Sequence, residues 1–213
     1  NFKSLEEKKT LENKFLQTQL QLKEQELKFL KMQIHPHFLF NTLNTLYGFA
    51  LRKSEQAPEM ILKLSSLLDY ILYQVDKPLV HLQDEITHIE DYISLEKSRF
   101  QESLQINFHK KITVDIFEIS PMLLLPFVEN AFKHGTQIDG VVEVNINLKL
   151  DKNELNFTIE NSSIKKENSK NGIGLENIQK RLEMLYQKQY FLEILHEDKM
   201  FKVNLKIPVK NDE

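Results

Sequence analysis

Residues 5–34 contain no glycine and no proline and are rich in Leu, Lys, Glu and Gln. Nothing in such a run stops a helix, and a helix of that length exceeds the usual globular range. Leu16, Leu20, Leu27, Leu30 and Ile34 fit alternating steps of three and four, with Lys23 interrupting, as in the seam of a coiled coil. Leu11, Phe15, Leu22 and Phe29 form a second stripe on the opposite face. A helix with two apolar stripes packs against two neighbours, as in a bundle. The plainer alternative is a solvated linker helix with one buried face.

Pro36 cannot donate to the carbonyl of Met32, so a bend is predicted there. Apolar residues continue through Phe38, Leu39, Phe40, Leu43 and Leu46 towards Gly48. Pro58 suits the first turn of a second helix, with a buried stripe expected at Ile61, Leu64, Leu68, Ile71 and Val75. Two helices joined by a short connection form an antiparallel hairpin, and two such hairpins make a four-helix bundle. The expected assembly is a parallel homodimer through residues 5–75. Asp76-Lys77-Pro78 reads as a break. It divides the chain into residues 1–76, a coiled coil with dimerisation helices, and a second domain over residues 77–213.

Beyond the break the periodicity changes. A helix is predicted over residues 85–100, with Ile86, Ile89 and Ile93 on one side. Then Leu104, Ile106 and Phe108 alternate, as do Val142, Val144, Ile146 and Leu148. Leu155, Phe157 and Ile159 repeat the pattern, and so do Phe201, Val203, Leu205 and Ile207. Helical stretches over 122–134 and 175–187 lie between these strands. The class is α+β: a helical hairpin followed by an α/β sandwich with helices on one face of the sheet.

Composition excludes several functions. The 213 residues carry a net charge of −3, which leaves no basic excess for gripping a nucleic-acid backbone directly. The absence of cysteine removes disulfides, Cys-zinc sites and thiol catalysis. The most apolar run, 122–128, is too short to span a bilayer. No signal peptide is evident, so any anchor or sensor is expected upstream of Asn1.

Three clusters carry chemistry. The first is Gln33-Ile34-His35-Pro36-His37-Phe38-Leu39-Phe40-Asn41. A neutral imidazole nitrogen is nucleophilic near pH 7, so a histidine on a rigid support accepts a phosphoryl group. Asn41, one turn after His37, is placed to orient its ring, or else is a polar residue of the bundle. The alternative for the histidines is a solvated pair on a helix surface. The second cluster is Pro126-Phe127-Val128-Glu129-Asn130-Ala131-Phe132-Lys133-His134-Gly135. An amide oxygen ligates Mg²⁺ and a lysine meets phosphate oxygens. An amphipathic helix with a glycine cap accounts for the same string without chemistry. The third cluster is Asn171-Gly172-Ile173-Gly174-Leu175 before a helix. Glycines there let backbone N–H groups approach phosphate at the positive helix end. Three of the chain's five glycines sit in the second and third clusters.

In this order the three strings closely resemble the LytS-type sensor histidine kinases, whose catalytic domain belongs to the GHKL ATPase superfamily. The resemblance runs from about Leu30 to Pro208 and includes Arg181-Leu182. It implies a dimeric four-helix bundle followed by a GHKL-type ATP-binding sandwich, with ATP and Mg²⁺ as cofactors. His37 would be the phosphoacceptor and Asn130 the Mg²⁺ ligand. Lys133, His134, Gly135, Gly172, Ile173, Gly174 and Leu175 would line the nucleotide site, and an ATP lid would cover roughly residues 163–171. The resemblance also implies a response-regulator partner of the LytTR type. It places the chain in the cytoplasmic portion of a bacterial inner-membrane sensor kinase.

Two departures stand out. The superfamily reads the adenine amino group with an Asp closely followed by a Gly, whereas here Ile159 precedes Glu160-Asn161-Ser162. Glu160 is the residue expected to accept that hydrogen bond. Phe38 stands where many histidine kinases carry an acid, so no general base is identified. The alternative function is a non-catalytic nucleotide-binding scaffold. An ATP-hydrolysing clamp is disfavoured, because Pro126 occupies the place of the water-activating acid.

Overall fold

The structure is a computed structural model that describes residues 8–20, 36–74, 77–114, 116–164, 173–197 and 199–209. Among the described residues there are six α-helices and seven strands. Helix α1 covers 8–20 and exposes Leu11, Phe15, Leu16 and Leu20. The remainder of the expected seam, the bend before Pro36, His35, Val75 of the expected stripe, Asp76 of the expected break and residues 165–171 of the expected lid lie outside the described residues.

Helix α2 (Pro36–Leu51) and helix α3 (Gln56–Tyr73) form the hairpin. Lys53 takes a left-handed φ of 51° in the connection, where its N–H and that of Ser54 close onto Ala50 and Phe49. Pro58 sits in the first turn of α3, where no intrahelical donor is lost. The buried stripe of α3 is Ala57, Met60, Leu64, Leu67, Tyr70 and Ile71, so Ile61 belongs to the outer face instead. The predicted stripe mixes two apolar faces, of which a single hairpin covers one. Phe40, Leu43, Tyr47 and Leu51 on α2, with Ile61, Leu62, Leu72 and Tyr73 on α3, stay exposed.

Strand β1 (Val80–His81) pairs antiparallel with β3 (Glu118–Ile119). Between them lie helix α4 (Leu82–Phe100) and strand β2 (Leu104–Ile112). Helix α4 starts earlier than its apolar spacing suggests, at a backbone bond from Leu82 N–H to Phe117. Asp84 and Glu85 fall in its first turn and Lys97 and Arg99 in its last, where each pair complements the helix dipole. Helix α5 (Leu125–His134) starts later than expected, because Met122 takes a left-handed φ of 56° that no helix accommodates.

Then follow β4 (Val142–Leu150), β5 (Glu154–Ser162), α6 (Ile173–Tyr186), β6 (Phe191–Glu197) and β7 (Met200–Pro208). The main sheet has the order β2-β4-β5-β7-β6, parallel only between β2 and β4. Val144, Ile146, Leu148, Phe157, Ile159, Val203 and Leu205 are buried on one face. The residues between them, among them Asn145, Asn147, Thr158, Lys202 and Asn204, make the other face polar. All helices contacting the sheet therefore lie on one side of it, as expected. Strand β6 is not apparent in the sequence. It is an edge strand with Phe191 and Leu195 exposed and Leu192 and Ile194 half-buried, so apolar residues on both faces conceal the period of two. One apolar core runs from Phe38 and Leu46 on α2 through α3, α4 and α5 to Ile207 on β7.

Candidate functional site

Helix α2 turns Phe38, Thr42 and Leu46 inward, four residues apart, and this fixes the direction of everything else on it. His37 is exposed. The Asn41 amide nitrogen lies 3.2 Å from its Nδ1 and 3.3 Å from its Nε2. A donor equidistant from both ring nitrogens sits off the lone-pair axis of each, so it steadies the ring without consuming either nucleophilic position. Thr45 in turn donates to the Asn41 carbonyl at 2.9 Å.

The residue after His37 anchors this helix. Phe38 stacks on Tyr92 of α4 with ring centroids 4.6 Å apart, and Tyr92 meets Phe132 of α5 edge-on at 5.6 Å. The position where many histidine kinases carry an acid is here an aromatic peg into α4. Pairs of this geometry add roughly 1 kcal/mol each beyond their buried area.

Asn130 lies half-buried on α5, with buried Glu129 and Ala131 on either side in sequence. Lys133 and His134 are exposed in the last turn. Gly135 follows with φ −57°, so it is no left-handed cap. A Cβ there would lie 2.8 Å from a Val142 methyl and 2.9 Å from the Ala131 carbonyl oxygen, so close approach of α5 to β4 is what demands glycine.

On β5, Leu155, Phe157 and Ile159 face the helices, so Glu160 points to the polar side of the sheet, its carboxylate 3.9 Å from the Lys202 ammonium. Asn161 shares the helix-facing side and is buried, its amide donating to the Ser162 carbonyl at 3.1 Å. Ser162 ties the end of β5 to the exit of α5. Its hydroxyl donates to the Thr136 carbonyl at 2.7 Å and accepts from Glu143 N–H at 3.0 Å, while Thr136 N–H donates to the Ser162 carbonyl at 2.8 Å. Gly135 and Asn161 are thereby held on adjoining segments. Leu175 is buried in the first turn of α6, which also contains Ile173 and Gly174. Gly172 lies outside the described residues.

Two groups result. His37 and Asn41 stand on α2, while Asn130, Lys133, His134, Gly135 and Asn161 gather where α5 lies over β5, with the start of α6 on the same side of the sheet. Both α2 and α5 pack on α4.

Sequence reasoning passes over Glu129. Burial and the neighbouring Glu96 carboxyl push it up to about 8, against the pull of Lys133. Burial likewise pushes Glu96 up to about 7, opposed by Arg99 and Tyr92. Both values exceed the ordinary 4.5, so the stability these groups contribute is full below that pH and is lost as pH rises through 7 and 8. A tenfold difference in proton affinity between the folded and unfolded chain is worth about 1.4 kcal/mol. The melting temperature is expected to fall between about pH 5 and pH 8, and less steeply in Glu129→Gln. An identical slope in the variant would contradict this origin.

The histidine kinase family pattern matches residues 25–104. The chain is 32% identical over 195 residues to the sensor histidine kinase BtsS of Escherichia coli strain K12, covering 90% of this chain and 35% of that protein. It is 30% identical over 208 residues to the sensor protein LytS of Oceanobacillus iheyensis, covering 89% of this chain and 35% of that one. The chain therefore spans about a third of the length of these relatives. The histidine kinase domain of a blue-light activated histidine kinase from Erythrobacter litoralis shares the fold at 13% identity with a TM-score of 0.51, over 87% of this chain and 91% of that domain. By sequence and fold together, this chain belongs to the histidine kinases and resembles their LytS-type sensor members.

Proposed function

We propose that this chain is the dimerising and ATP-binding core of a sensor histidine kinase that transfers the γ-phosphate of ATP to His37. The observation that carries this is an exposed His37 on a pegged helix, with the Asn41 amide against its ring and a histidine-kinase fold behind it. An imidazole nitrogen attacks the γ-phosphorus, the bond to the ADP oxygen breaks, and the ring proton is shed to solvent, leaving a neutral ring that bears the anionic phosphoryl group. The phosphoryl group then passes to an aspartate of a response regulator, of the LytTR type. Domains divide near residue 76, and the chain belongs to the cytoplasmic portion of a membrane-anchored sensor. Among the described residues no helix is long and apolar enough to cross a membrane.

The residues fit Mg²⁺ and ATP. Among the described residues no three His, Cys, Asp or Glu gather to hold a metal ion, and Mg²⁺ takes one or two protein ligands completed by phosphate oxygens and water. Asn130 supplies that ligand, Lys133 and His134 meet phosphate oxygens, and the first turn of α6 supplies backbone donors. Asn161, not Glu160, faces the adenine. The exposed stripes of α2 and α3 close on those of a second copy in a four-helix bundle.

The scaffold reading draws support from the same strand, since an amide stands where the superfamily's carboxylate reads adenine. Calorimetry with Mg·ATP set beside label transfer from γ-labelled ATP separates the two. A kinase binds and takes label; binding without label makes the chain a scaffold.

A further inference from the structure

Residues 120–125 form the turn that launches α5, and two charged side chains grip it, the buried Glu85 and the half-buried Arg181. Glu85 stands on α4. Its Oε1 accepts the N–H groups of Leu124 at 2.9 Å and Leu125 at 3.1 Å, and its Oε2 accepts that of Met122 at 2.9 Å. Arg181 stands on α6. Its guanidinium donates to the Met122 carbonyl at 2.9 Å, to the Ser120 hydroxyl at 2.7 Å and to the Pro121 carbonyl. The left-handed Met122 is thus held through both of its backbone polar groups, which is how a costly φ persists. Two of the N–H groups that Glu85 takes open α5, where its negative charge also meets the positive helix end.

A third element reaches the same carboxylate. The Tyr70 hydroxyl of α3 donates to Glu85 Oε2 and lies 3.2 Å from Met122 N. Helix α3 is the partner of α2, which carries His37, and α6 begins just past the expected lid. One turn therefore receives a contact from the His37 hairpin, from α4 and from the helix behind the lid. Asn130 stands five residues into α5, about 7 Å along a ten-residue helix. So short a helix moves as a unit, and its starting turn sets where Asn130 points.

We propose that Glu85 is a positioning residue for the reaction: sharing its grip on the 120–125 turn with Arg181 and coupled to the His37 hairpin through Tyr70, it fixes α5 and hence Asn130 relative to His37. This rests on the kinase reading above. Tyr70→Phe removes one hydroxyl and keeps the ring. Glu85→Gln places an NH₂ against backbone N–H donors whichever way the amide turns.

The test measures Mg·ATP affinity, the rate of label transfer and hydrogen exchange at the amides of Met122, Leu124 and Leu125 in Tyr70→Phe, Glu85→Gln and the double variant. Glu85→Gln is expected to weaken Mg·ATP about tenfold. Tyr70→Phe should leave affinity within about twofold, slow transfer about tenfold and raise exchange at Met122. The double variant should be no worse than Glu85→Gln alone, because Tyr70 acts through Glu85. Effects that multiply, or affinity and rate falling together in Tyr70→Phe, overturn the proposal. If Glu85→Gln fails to fold, the affinity-to-rate split and exchange in Tyr70→Phe decide alone. A wild-type chain that takes no label defeats the kinase reading instead. The exchange at Met122 then decides the coupling: raised in Tyr70→Phe it supports it, unchanged it overturns it.

Discussion

Asn130→Ala is expected to lower Mg·ATP affinity at least tenfold and to abolish label transfer while the protein stays folded. The size follows from the ligand count. Where the protein gives Mg²⁺ one or two oxygens, losing one removes most of its hold on the metal. The small structural cost follows from burial. Asn130 is half-buried, and its neighbours Glu129, Ala131 and Phe132 carry the packing of α5 against α4 and the sheet. Truncating it leaves no large cavity, so stability should change by about 1 kcal/mol or less. Asn130→Asp keeps the shape but sets a carboxylate among phosphates, and it should also fail in transfer. Calorimetry and a thermal melt on the same samples read both effects. Unchanged binding in Asn130→Ala would remove the residue from the site.

Much of the fold is legible in the sequence because most of its elements carry one clear period of apolar residues. The steps of three and four on α2 and α3, and the alternation in β4, β5 and β7, each survive in the structure. The misreadings have local causes. Ile61 reads as inward because α3 has two apolar stripes, and sequence does not say which one a single chain covers. The start of α5 is misplaced because a left-handed Met122 leaves no mark on hydropathy. Glu160 is more instructive. The alternation that identifies β5 already places 159 and 161 on one face and 160 on the other, but the resemblance draws attention to the acid instead of to its side of the strand.

Long-range polar contacts are illegible in the sequence. Glu85, Tyr70 and Arg181 lie far apart along the chain and meet at backbone groups, which have no residue signature. Ser162 reads as a missing glycine. Its hydroxyl joins α5 to β5, so the departure from the superfamily pattern has a structural use.

The choice between two histidines is where the account is most exposed. His35 and His37 are two residues apart, which on a helix turns them about 200° from each other. One pose therefore presents one of them. His37 is exposed, steadied by Asn41 and fixed in direction by the Phe38 peg. The most direct measurement incubates wild type, His37→Gln and His35→Gln with γ-labelled ATP and Mg²⁺, then treats the labelled protein with mild acid or alkali. The account predicts label that is lost in acid and kept in alkali, absent from His37→Gln and merely reduced in His35→Gln. Label retained in His37→Gln and lost in His35→Gln would contradict it.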